Sequence, residues 1–404
     1  MFVSCCRVRS PNAPSDRRDH LPAPPSVGTG AGRQGDHTLQ GCNGTKCVCF
    51  NTVMLKKGYT TGSCAQGAAK AATLTLLGRS RVDQVELETP SGIKLLLPVV
   101  DTELGDHYAR CGVVKDSGDD PDVTHGARIY ATVRFSDTPG VTIRGGKGVG
   151  IVTKPGLAVP VGEHAINPTP REMILRDVSS LLPDGQGVEV TITVPEGEAL
   201  AEKTFNPRLG IEGGISIIGT TGIVEPKSIN AYRTSLSLQL DVLRAQGLEK
   251  VTLVLGYVGE RFCKKALHLP EDSVIKIGDH VGYMLDQCGE KGFKDVLLVG
   301  HIGKLVKIAG GQFNTHFRFG DRRIETIVDH ARRRGADQKI IEAILRETTA
   351  EATIAILREH RMMNVFDDIA KEVALRVRHR VGGKFGIRCI LLSLKGEVLG
   401  SHDE

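Results

Sequence analysis

The sequence predicts an α/β protein, and three features of its 404 residues carry that expectation. The stretch "TTGSCAQGAAKAA" at 60–72 has the composition of a helix behind a polar start, since Ala has the best intrinsic helix propensity. "VDQVELETPSGIKLLLPVV" reads as two strands around a "PSG" turn. After about residue 245, short buried strands alternate with helical stretches, the mark of a parallel sheet with crossover helices.

Residues 1–53 stand apart. They hold five prolines among many Gly, Ser, Asn and Arg residues and show no helical or strand periodicity. They lack an apolar core for a secretory signal. The expectation is a disordered extension, or an artefact of a start codon chosen upstream of Met54. From Met54 a helix is expected near 63–77, ending at Gly78. Its first N–H groups have no partner within the helix, so a cap or a ligand must satisfy them. The hairpin follows, then strands around 107–115, 128–134 and 188–194, giving an α+β domain over 54–245 with glycine-rich loops. In 246–404, "VTLVLG", "SVIKIG" and "DVLLVG" each precede a helical stretch, a Rossmann-like parallel-sheet arrangement. Residues 322–380 read as mostly helical, and "IRCILLSLKGEVL" as a closing hairpin.

Composition narrows the function classes. No apolar run approaches the roughly 18–20 residues of a membrane span. A net charge of +5, no Trp and 4% aromatics argue against a nucleic-acid partner that stacks bases on aromatic rings. Anionic small molecules fit better. Half of the ten cysteines crowd the first 50 residues, and "CNGTKCVC" lacks the downstream pair that would complete a zinc set. Free thiols in a cytoplasmic protein are the expectation, with no protein metal site. A homo-oligomer is left open.

Four loops stand out. "TTGSC" at 60–64 is the helix start. "KDSGDDPDVTHG" at 115–126 carries Asp116, Asp119, Asp120, Asp122 and His125, but misses the calcium-loop spacing. It suits a loop that positions a general acid or base. "GIEGGISIIGTTGIVEP" at 210–226 sets glycine clusters either side of an apolar strand "ISII", and Thr220–Thr221–Gly222 echoes Thr60–Thr61–Gly62. "LLVGHIGKLVKIAGGQFNTH" at 297–316 ends a strand at Gly300 and starts a helix at Gly303–Lys304, a place for an anion. It is neither a Walker A loop, since Leu305 follows the lysine, nor G-x-G-x-x-G. "LVLGYVGE" at 253–260 is a similar strand–glycine loop.

Taken in order, "KGYTTGSCAQGAAKAA", "VVKDSGDDPDVTHGA", "GGKGVGIVTKPGL", "AINPTPREMI", "TFNPRLGIEGGISIIGTTGIVEPKS" and "LLVGHIGKLVKIAGGQFNTH" resemble the cobalt-precorrin-5B C(1)-methyltransferases, the CbiD family. The resemblance runs from about Leu55 to at least Asp321 and is weaker beyond. "GDHVG" at 278–282 and "THFRFGDRR" at 315–323 depart from the family pattern. The resemblance implies methylation of C-1 of cobalt-precorrin-5B, giving cobalt-precorrin-6A, in anaerobic cobalamin synthesis. S-adenosyl-L-methionine would be the donor, and cobalt would arrive inside the anionic tetrapyrrole. By this reading Thr60, Thr61, Gly62, Ser63, Arg171, Gly214, Thr220, Thr221 and Gly222 bind the ring. Gly256, Gly259, Glu260, Gly300, His301, Gly303 and Lys304 take the donor, and Asp116 or His125 handles a proton. Two rivals remain: a non-catalytic corrinoid-precursor binding protein, and a nucleotide-dependent phosphotransferase using Lys304.

Overall fold

The polar start at Thr60 and the αL residue Arg79 (φ 49°) delimit an alanine helix over Thr61–Gly78. In the computed structural model, which describes residues 55–404, this helix is buried along most of its length. The expectations for residues 1–53 lie outside the described residues. Small side chains explain the burial. Ala65, Ala68, Ala69, Ala71 and Ala72 let the helix backbone approach a five-stranded sheet closely. On another side Gly67 meets Leu87 and Leu97 of the antiparallel hairpin Gln84–Glu88/Lys94–Pro98. The sheet runs Val100–Leu104, Tyr108–Val114, Arg128–Ser136, Gly187–Thr193, Gly140–Gly145. It is antiparallel except for its last pair.

The second sheet runs Val274–Lys276, Lys250–Val254, Asp295–His301, Gly386–Leu392, Val398–Asp403. Its first four strands are parallel and the last antiparallel. The closing hairpin therefore belongs to this sheet, and its first strand is a fourth parallel member. Numbered along the chain, the spatial order is 2-1-3-4-5. The order reverses beside the first strand, so the chain leaves Lys250–Val254 and Asp295–His301 in opposite directions, the switch point at whose carboxyl ends open parallel sheets of this kind form a ligand crevice. Helices 281–290, 302–309, 323–333 and 365–381 share a large core on one face. On the other face Tyr257–Lys265 covers a smaller core of Val254, Val274, Leu297 and Val299.

The described residues, 55–404, lie in one compact unit. Helix Ile229–Ala245 links its halves, with Leu236, Leu240 and Leu243 in the second sheet's core and Leu238 and Val242 against Val152, Leu209 and Ile211. The expected strand "ISII" is not a strand. Only Gly214–Ile215 pairs, with Gly148–Val149, and Ile217 bridges to Ile166, because each short run meets a different partner.

Candidate functional site

Three loops far apart in sequence meet at the start of the alanine helix. Gly58–Tyr59 pairs with Ile223–Val224. Tyr59 N–H donates to the Asp116 carbonyl (2.8 Å), and Lys227 N–H to Asp120 Oδ1 (2.7 Å). Asp119 grips Lys56 through its carboxylate and its own N–H (2.6 and 2.9 Å). The two Thr-Thr-Gly echoes are thus brought together, but they do different things. Thr60 caps the helix by accepting from Ser63 N–H (3.2 Å), Thr61 accepts from Ile218 N–H (2.9 Å), and Ser63 donates to the Gly222 carbonyl (2.7 Å). Gly62 N–H donates to the Ile218 carbonyl (2.9 Å). These four residues are buried, and the hydroxyls of Thr60, Thr61 and Ser63 are taken up by the chain's own backbone and by one another. Thr220 and Thr221 instead lie exposed above them, with Gly222 buried beneath.

Asp116 and His125 sit side by side on the rim. Lys56 Nζ (2.7 Å) and Gly118 N–H (2.8 Å) hold the Asp116 carboxyl below the usual carboxylate range. His125 Nδ1 accepts from Ser117 N–H (3.0 Å) and lies 3.9 Å from Asp116 Oδ1. That bond leaves the proton of the neutral ring on Nε2. Beneath them lies an ion pair that sequence reasoning missed: Lys115, 2% exposed, donates to Asp122 Oδ2 and Ser117 Oγ (both 2.6 Å). Burial pushes the Asp122 carboxyl up, but Lys115 and the N–H and hydroxyl of Thr124 outweigh it and hold it below the ordinary range. A lysine closing an apolar strand ahead of an acidic loop was the available signal; its partner seven residues on was not readable. Cys64 is buried, and burial pushes its thiol up, which suits packing rather than nucleophilic attack.

Arg171 and Gly214 join this region indirectly. Arg171 rides on helix Pro168–Ser179, whose Pro170 meets Gly62, but its guanidinium turns to the Ile143 carbonyl (3.3 Å) and Glu163 (3.7 Å). Gly214 is buried, with its carbonyl accepting from Asn206 Nδ2 (3.2 Å).

The remaining expected residues gather around the ends of the parallel strands. Gly256 (φ 109°) turns the chain from strand into helix Tyr257–Lys265, which has no side-chain cap, and open space surrounds the position a Cβ would take. Gly259 packs the helix against the Val299 carbonyl, and Gly300 fits against Leu255 and Leu305. His301 caps helix Ile302–Ala309 by accepting from Gly303 N–H at Nδ1 (3.1 Å), while Nε2 meets Glu351 (2.8 Å). Lys304 Nζ reaches Asp279 (2.6 Å), which also accepts from Thr315 Oγ1 (2.6 Å). Glu260 departs from the crevice. Its carboxylate sits between Arg208 (2.8 Å) and Lys276 (2.7 Å), which outweigh burial and hold it ionised. It ties the two halves together, and Lys154–Asp272 (3.2 Å) adds a second tie.

Comparison with known proteins places these loops in a family. The family model described as CbiD matches residues 50–226, and that of the CbiD C-terminal domain matches 314–403, so the likeness continues through the terminal helices and hairpin. A curated relative from Moorella thermoacetica is 47% identical over 350 residues, covering 86% of this chain and 95% of the relative. Another from Thermoanaerobacter sp. is 46% identical over 353 residues (87% and 96%), and one from Methanocaldococcus jannaschii 45% over 350 (86% and 96%). Each is named cobalt-precorrin-5B C(1)-methyltransferase. The crystal structure of a cobalamin biosynthesis protein (cbiD) from Archaeoglobus fulgidus is 30% identical, with 70% of this chain and 85% of that chain covered and a TM-score of 0.35. With both family models matched and relatives aligned over nearly their whole length, the chain belongs to the CbiD family.

Proposed function

We propose that this chain methylates C-1 of cobalt-precorrin-5B, the reaction for which its relatives are named, giving cobalt-precorrin-6A in cobalamin synthesis. The observation that carries the reading is the pairing of two kinds of site in one compact unit. One is a hydrogen-bonded loop cluster rimmed by Lys56, His125, Thr220 and Thr221; the other is an open strand-end crevice. A ring fringed with carboxylates suits the first, and a nucleoside suits the second. The reading places the work in the cytoplasm.

S-adenosyl-L-methionine, the donor in this reading, supplies a methyl group on a positively charged sulfur. Uncapped N–H groups and open space at Gly256 suit a nucleoside there, with His301 and Gly303 shaping the opposite wall. The chain's own contribution at the ring is largely positional. Asp116, kept ionised by Lys56, is a weak base, and its better role is to offset the positive charge that the ring gains as C-1 takes the methyl group. His125 presents Nε2–H and suits donation to a ring carboxylate. The buried Thr60–Ser63 hydroxyls hold the rim together, and gripping carboxylates falls to Thr220 and Thr221. Cobalt enters as part of the substrate.

The test is to incubate the full chain with cobalt-precorrin-5B and donor labelled in its methyl carbon, then locate the label by NMR. Label at C-1 is expected. Its absence, with the ring recovered unchanged, would overturn the reading.

A further inference from the structure

Phe317 is 73% exposed and Phe319 66%, so Phe317 is the most exposed large apolar side chain among the described residues and Phe319 is close behind. They occupy one short turn, Phe317–Phe319, in the run Phe-Arg-Phe-Gly-Asp-Arg. Free phenylalanine surface costs about 25 cal/mol per Å² relative to a covered one, so two rings held outward are a standing cost without a binding partner.

The turn is not loose. Thr315, fully buried, donates to Asp279 Oδ1 (2.6 Å) and its N–H to the Asp279 carbonyl (3.3 Å). Lys307, 5% exposed, turns its ammonium to the carbonyls of Thr315 (3.2 Å) and Gly320 (3.3 Å), one on each side of the rings. His316 Nδ1 accepts from Arg318 N–H (3.3 Å), and its ring stacks on Phe317 with centroids 4.5 Å apart. A buried lysine and a buried threonine thus fix an apolar tip. Asp279, the shared anchor, also holds Lys304 in the first turn of the helix that follows Asp295–His301. The tip is therefore built into the carboxyl end of the parallel sheet.

Charge completes the pattern. Arg318 and Arg322 are exposed and have no carboxylate partner among the described residues, Arg318 lying over the Phe317 ring 6.0 Å from its centroid, whereas Arg323 is paired with Asp321. Exposed rings pack on flat conjugated faces, and free guanidiniums bind carboxylates in a fork. A conjugated ring edged with carboxylates presents both features. We propose that the Phe317–Arg322 turn is a rigid prong that packs on the face of the tetrapyrrole and takes carboxylates of its fringe through Arg318 and Arg322. This rests on the proposed function for the identity of the ring.

The experiment compares the full chain with Phe317→Ala/Phe319→Ala and Arg318→Gln/Arg322→Gln. Readouts are KM and kcat with cobalt-precorrin-5B, the Kd of S-adenosylhomocysteine, and melting temperature. These exposed substitutions should leave the melting temperature unchanged. The aromatic pair should raise the ring's KM about tenfold, equivalent to about 1.4 kcal/mol, with kcat and the S-adenosylhomocysteine Kd unchanged. The arginine pair should raise KM about fivefold, and less at high salt. An unchanged KM in an active enzyme overturns the proposal, as does a weakened S-adenosylhomocysteine Kd in place of a raised KM. Loss of sedimentation with anionic lipid vesicles at unchanged KM would likewise assign the turn to a membrane surface. A wild-type chain that binds the ring with the same aromatic dependence yet transfers no methyl group would sink the functional reading and leave the prong standing.

Discussion

The loop cluster at the alanine helix and the strand-end crevice of the second sheet achieve order by different means. In the cluster the only sheet among the described residues is the two-residue pairing of Gly58–Tyr59 with Ile223–Val224. Beyond that and a few backbone bonds, the shape of the loops comes from side chains bonding to remote backbone: Asp119 to Lys56, Asp120 to Lys227, Thr61 to Ile218, Ser63 to Gly222. In the crevice the shape follows from strand order, and most side chains there only tune it. Single polar or glycine changes should therefore damage the cluster and be tolerated better in the crevice.

A pair of glycine substitutions tests this most sharply. At Gly118 (φ 61°) a Cβ would stand 2.0 Å from the Lys56 carbonyl, so Gly118→Ala must separate two loops. It should cost about 3 kcal/mol or more in urea unfolding and reduce turnover at least a hundredfold. Gly256→Ala meets no atom, and its positive φ alone should cost about 1–2 kcal/mol. Equal losses at the two positions would erase the distinction.

Next comes the buried ion pair. Asp122→Asn strands the Lys115 ammonium and should destabilise the protein by about 3 kcal/mol at pH 7. Because the folded Asp122 carboxyl titrates below its unfolded value of about 3.9, its contribution is complete above that pH. It fades as pH falls further, through the folded value. Urea midpoints of wild type and variant should thus converge in strong acid, and a gap that persists there would deny the ion pair its role.

Thr60→Ala removes a helix cap and should cost about 1 kcal/mol, with the ring's KM little changed. If instead KM rises while melting is unaffected, Thr60 touches substrate and the cluster is a direct grip. The smallest effect belongs to the crevice. The Lys304–Asp279 pair is partly exposed, so Lys304→Ala should cost about 0.5 kcal/mol in a melting curve. A much larger loss would mean that Asp279, also bound to Thr315, needs both partners to hold the 315–320 turn.

Much of this was legible beforehand. Alanine composition located the helix because propensity and small size act locally, and the terminal capping threonine is a short-range signal. The strand–helix alternation announced a parallel sheet, since each apolar run must bury both faces. The strand "ISII" was misread because a run of apolar residues says only that it is buried, not that one neighbour accompanies it along its length.

The sequence by itself determined the elements and the chemical character of the loops, because capping, propensity and periodicity are settled within a few residues. Only the tertiary structure decided which of the two Thr-Thr-Gly motifs is exposed, that Asp122 neutralises Lys115, and that Glu260 serves as a tie between halves. The reason is that each depends on contacts between residues brought together by the packing of the sheets. A polar side chain's role is set by which partner reaches it first: its own backbone, a remote charge, or solvent and the ligand beyond it.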